Sequence, residues 1–228
     1  MFSAADCCGI LHDMTALPPT SPRFRVLTPR RAFWLAALLL ALIAVLLLLA
    51  PAEQQLGNLL KIIYLHGALA RAGLYALMLA GLLGGAYWLR PLPGLLRWSN
   101  AVQVAGMTAF IAHFALSIIP TRATWGMWIA FDEPRTRMSL QIIGVGLLVI
   151  AVRRLLNDDR LSALTNLLLG GAVLLLNLRT GVLRHPLNPI GDSSSSTIQI
   201  FYLGILLVCG LLTALLAWVL AARNQPVE

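Results

Sequence analysis

The sequence predicts an all-α fold, a polytopic membrane protein built as a bundle of six transmembrane helices. Three observations lead there. Of 228 residues, 59% are hydrophobic and 11% are charged, and the mean hydropathy is +0.81. A soluble domain of this size has no interior large enough to hide that much apolar surface. The apolar residues are gathered into six runs of membrane length. The basic residues stand mostly at the ends of those runs, with one lysine, Lys61, among sixteen arginines.

The first run, Ala32–Ala50, follows a tail of thirty-one residues. Ala50-Pro51-Ala52 has small residues where a signal peptide would be cleaved. The long apolar core and the proline inside that site favour an uncleaved helix. The second run, Ile62–Leu89, contains Arg71, a charge that costs about 2.5–3.5 kcal/mol at the centre of a span unless it snorkels or faces protein. Snorkelling and an anionic partner both remain open for it. The third run is Ala101–Ile119, with Pro120 expected to end it. The fourth, Met138–Val152, is short for a bilayer, so its helix is expected to begin inside the preceding loop. Asn157-Asp158-Asp159 then forms a polar turn. Leu161–Leu178 and Ile198–Ala222 complete the set. The resulting organisation is a tail (1–31), a six-helix domain (32–222) and a short C-terminal tail (223–228). Two long connections, 121–137 and 179–197, lie on one side.

Orientation follows from the basic residues near the span ends. Arg23, Arg25, Arg30, Arg31, Arg90, Arg97, Arg153, Arg154, Arg160 and Arg223 fall on one side. Lys61, Arg122, Arg135, Arg137, Arg179 and Arg184 fall on the other. Ten against six places both termini in the cytoplasm. The net charge of +8 is therefore a topological signal and no nucleic-acid footprint. No Walker-type loop is present, so ATP-driven work would need a partner. Cys7, Cys8 and Cys209 make no framework, and no Cys-x-x-Cys-His attaches a c-type haem. Cys7-Cys8 is read as incidental beside a metal or palmitoylation site.

Trp125-Gly126-Met127-Trp128-Ile129-Ala130-Phe131-Asp132 is an aromatic and apolar stretch in a connection that water would normally claim. As a plain membrane-interface belt it would need no ligand. Two histidines share its side of the membrane: His66, near the outer end of the second span, and His185, in the 179–197 connection. Two neutral imidazoles can ligate a haem iron from opposite faces. Trp125, Trp128 and Phe131 offer flat apolar cover, and Gly126 admits close backbone approach. Arg122, Arg135, Arg137 or Arg184 suit anionic propionates. His113 lies mid-span and is read as an interior polar contact, because His66 is placed at a different depth. His12 sits in the tail and carries no weight.

Trp125-Gly126-x-Trp128 followed by Phe131-Asp132 resembles the tryptophan-rich WWD signature of the haem-handling proteins of cytochrome c assembly, the CcmC, CcmF and CcsA family. Lys61-Ile62-Ile63-Tyr64-Leu65-His66 is similar to the opening of the second helix in CcmC, and Arg179-Thr180 with His185-Pro186 to its second external histidine segment. The resemblance runs from Lys61 to the end of the last span. It implies a non-enzymatic subunit of a bacterial inner membrane that holds haem b as cargo on the periplasmic face. His66 and His185 would be the axial ligands, and Trp125, Gly126, Trp128, Phe131 and Asp132 the platform. It further implies delivery to a CcmE-like haem chaperone alongside CcmA, CcmB and CcmD-like ABC-type subunits. Ile129 and Phe131 stand where the family carries tryptophan, and Pro134 where an arginine is common, which marks a divergent member. Phe131 keeps the apolar face but lacks the indole N–H donor. Two other readings of the residues are an integral b-type cytochrome or quinone-reactive anchor using His113, and a small permease without haem.

Overall fold

The computed structural model describes residues 27–52, 56–184 and 190–223. It contains six helices, each long and apolar enough to cross a membrane: α1 (Pro29–Leu49), α2 (Leu59–Leu89), α3 (Pro93–Trp125), α4 (Pro134–Leu156), α5 (Asp159–Arg179) and α6 (Ser196–Arg223). Leucines and isoleucines such as Leu38, Leu82, Leu168 and Ile200 stand outward on the flanks. Lipid can accept such side chains and water cannot, whereas the backbone polar groups are satisfied inside each helix.

Every helix extends past the apolar run that announced it. Thr28 accepts the Arg31 N–H at the start of α1 and Pro29 opens the helix, a position where the missing N–H costs nothing. Asp158 accepts the Leu161 N–H at 2.7 Å, and Asn157 takes a left-handed φ of 46°, so the expected polar turn is a C-cap followed at once by an N-cap. As expected from its short apolar run, α4 starts early, at Pro134 inside the preceding connection. Lys61 reaches back from α2 and donates to the Leu48 carbonyl at 3.0 Å, a cation at the exposed C-terminal end of α1.

One expectation is corrected in α3. Pro120 ends the apolar run but not the helix, which continues to Trp125. At 33 residues, α3 is about 50 Å long, well beyond the roughly 20 residues that cross a bilayer core. Pro120 removes one main-chain donor, but it sits at the rim of the bundle, where water can serve the freed carbonyl. The Pro120 carbonyl itself accepts the Thr124 hydroxyl at 2.7 Å.

Helix α2 is the hub, packed on α3, α5 and α6. It meets α3 antiparallel in a seven-residue register: His66 against His113, Gly73 against Gly106, and Ala80, whose carbonyl accepts the Ser99 hydroxyl at 2.8 Å. A repeat of seven keeps one seam of each helix facing the other. The glycines allow the backbones to touch, since a Cβ at Gly73 would lie 2.9 Å from the Phe110 main-chain nitrogen. Small residues also set α2 on α5, where a Cβ at Gly81 would fall 2.8 Å from the Gly170 Cα. Without water to drive helices together, such close packing is what holds a membrane bundle. Arg71 is turned inward, its guanidinium 5.1 Å from the Tyr202 ring centroid on α6.

Candidate functional site

The aromatic stretch divides in two. Trp125 is the last residue of α3, and Gly126 is the left-handed cap that stops it, with φ 72° and its N–H on the Arg122 carbonyl at 3.1 Å. Glycine is required there by backbone conformation. A side chain at Gly126 would meet open space, so a flat ligand also has room. The segment then runs to Pro134 with exposed and buried residues intermixed. Trp128 and Phe131 keep 66% and 62% of their surfaces open, while Ala130 tucks inward between them. Arg122 donates to the Gly126 carbonyl and lies 5.2 Å from the Trp128 ring centroid.

Beneath this surface the connection is pinned to the segment after α5. Glu133 is 2% exposed. Its carboxylate accepts the Arg184 N–H at 2.9 Å and the Leu183 N–H at 3.2 Å. The neighbouring Asp132 accepts Arg184 Nε at 2.9 Å and also pairs with Nη2, and its own carbonyl accepts from Arg137 at 3.1 Å. The Arg184 guanidinium stands 5.6 Å from the Trp125 ring centroid. Hydrogen bonding and attraction from Arg184 hold the Asp132 carboxyl below the usual carboxylate range. Two adjacent acids thus grip one residue by backbone and by side chain, and that residue is the chain neighbour of His185. His185 itself lies outside the described residues.

Arg184 and Arg122 are therefore engaged within the protein, and a propionate would have to compete for them. Arg135 differs. It stands in the first turn of α4 with a buried Nε that no acceptor meets, a donor that suits a carboxylate. Sequence reasoning passed over Glu133. Its signal was an acid directly before a proline at a helix start, where the expected role is an N-cap. Its side chain makes no capping bond and crosses to another connection.

His66 is not at this surface. It lies two turns into α2 and packs against His113, which corrects the expectation that the two occupy different depths. The rings stack with centroids 4.3 Å apart and an interplanar angle of 28°. Each Nδ1 faces the other residue's carbonyl, at 3.3 Å for His66 and 3.0 Å for His113. A carbonyl only accepts, so both Nδ1 atoms carry a proton, and in the neutral form each ring holds its lone pair on Nε2. Stacked faces do not aim two lone pairs at one iron. Two nitrogens ligating from opposite sides stand about 4 Å apart with their rings pointing toward each other. His113 is twelve residues before Trp125, about 18 Å along the helix. The structure thus assembles two clusters, the pinned aromatic connection and the histidine pair below it. The sequence matches no protein-family model, and a search of curated proteins finds no match to it.

Proposed function

We propose that this chain is a haem-binding and haem-delivery membrane subunit for cytochrome c maturation. Haem is held at the outer, periplasmic face of a bacterial inner membrane and passed to a CcmE-like chaperone, with ABC-type CcmA, CcmB and CcmD-like partners. The observation that carries the reading is the double grip of Asp132 and Glu133 on Arg184, which ties the segment entering His185 to the exposed Trp128 and Phe131. His185 then serves as one axial ligand beside a flat apolar cover. His66 serves as the other once its ring parts from His113 and haem reaches inward from the rim to it; a carbonyl partner on Nδ1 is how protein histidines orient the nitrogen that binds metal. The buried Nε of Arg135 gives a propionate an unmatched donor.

The ligands serve transfer and not catalysis, and a rim site open to a partner can release what it holds. Purified protein should show a haem absorption spectrum that is lost or shifted in His66→Ala and in His185→Ala. Unchanged haem content and spectrum in both variants would refute the assignment. A second reading, an integral b-type cytochrome, gains from the common depth of His66 and His113, although the stacked rings must part before either binds iron. Transfer to an acceptor separates the two, since a resident cytochrome keeps its haem.

A further inference from the structure

The end of the bundle opposite the aromatic connection holds a polar cluster that the haem reading does not use. Arg153, in the last turn of α4, donates through Nη1 to Asn100 Oδ1 at 2.8 Å and to Gln103 Oε1 at 2.6 Å, both on α3. Asn100 Oδ1 also accepts from Ser162 at 3.0 Å and from Asn166 at 2.8 Å, both on α5. Asn166 donates further to Ser99 at 2.8 Å. Four helices are joined here, because Ser99 in turn donates to Ala80 on α2.

The cluster has more donors than acceptors. Arg153 meets neutral amide oxygens and pairs with no carboxylate among the described residues. Gln103 is wholly buried, and its Nε2 has no partner. Its orientation follows from Arg153, which takes Oε1 and leaves the amide N–H groups beside the guanidinium. Buried donors of this kind call for an occupant, and the half-buried Arg153 guanidinium beside them supplies positive charge suited to an anion. Asn166 Oδ1 also lacks a partner and is the one acceptor left over.

We propose that Arg153 and Gln103 form an oxyanion site, taking the phosphate or carboxylate oxygen of a lipid headgroup or of a free anion. Arg153 supplies the charge and a planar pair of donors, and the Nε2 of Gln103 a further donor.

The test uses the full chain in phosphatidylcholine nanodiscs, followed by thermal unfolding and native mass spectrometry. One arm adds phosphatidylglycerol to the discs and the other adds inorganic phosphate or acetate to the buffer. Wild type and Arg154→Gln, an exposed neighbour, should be stabilised and retain the anion. Arg153→Gln should bind about tenfold more weakly, the worth of one charge-assisted hydrogen bond. Should Arg153→Gln fail to fold, Gln103→Glu decides, since it places a carboxylate against Arg153 and should abolish the response to added anion. A response to phosphatidylglycerol alone identifies a headgroup site, and a response to the soluble anions alone a free-anion site. No response in either arm, or equal responses in Arg153→Gln and Arg154→Gln, overturns the proposal and leaves a neutral polar staple between helices.

Discussion

Glu133 is the residue whose removal tests the candidate site most directly. Its carboxylate accepts the Leu183 and Arg184 amides at 3.2 and 2.9 Å from a position that is 2% exposed. A hydrogen bond to a charged group contributes about 1.5–3 kcal/mol. The lower figure applies here, since Leu183 and Arg184 lie at the surface. Glu133→Ala removes both bonds and should cost about 3 kcal/mol of local stability, which is about a hundredfold in the opening equilibrium. Glu133→Gln keeps an oxygen in the Oε2 position that accepts both amides but loses the charge, and should cost about half as much, about tenfold. Hydrogen–deuterium exchange of peptides covering residues 181–184 reads this opening without any ligand. Exchange should rise in the order wild type, Gln, Ala, while the mid-helix amides of α2 and α3 stay protected. Unaltered exchange at 183 and 184 in Glu133→Ala would show that the two connections are not joined there. Haem retention should fall in the same order if the grip serves the site.

Three further outcomes follow from the geometry. A Cβ at Gly84 would fall 2.6 Å from the Ala163 carbonyl oxygen, so Gly84→Ala should part α2 from α5 at a cost of about 1–3 kcal/mol; an unchanged Tm in detergent would contradict that contact. Because Arg184 lowers the Asp132 pKa in the folded protein, the contribution of this pair is present above the ordinary carboxylate range. It is lost progressively as pH falls from that range to the lowered value, where Asp132 protonates in the folded protein and releases Arg184. Trp125 fluorescence followed against pH should report the release, Asp132→Asn should abolish the transition, and release in mildly acidic buffer would be the wrong sign. Finally, 15N-histidine NMR at neutral pH should find His66 and His113 as Nδ1–H tautomers, and an Nε2–H tautomer on either would break the reciprocal pairing.

The six spans were legible because lipid demands about 20 apolar residues in a row and little else in a sequence does. Their ends were less legible. Helical structure continues through residues too polar for the membrane, as at Pro134-Arg135-Thr136-Arg137, and past Pro120, where loss of one hydrogen bond at the rim does not stop a helix. In the candidate site, the aromatic stretch and His66 stood out by residue type. Glu133 did not, since an acid beside Asp132 looks like ordinary loop polarity until its depth is known. His113 is the interior polar contact expected of it, but its depth relative to His66 was misread, because spacing within one helix gives depth only after the register with its neighbour is set.

The sequence by itself determined the class of molecule and the number and order of its membrane-length helices. These follow from hydropathy and chain alternation, both local quantities. Only the tertiary structure decided which residues meet. The seven-residue register of α2 on α3, set by glycines that let backbones touch, put His66 face to face with His113. The reach of two acids across 50 residues of chain brought Arg184 under the aromatic surface. Contacts of that kind depend on helix rotation and translation to within a few ångströms, which the packing of side chains between helices sets and no single segment encodes.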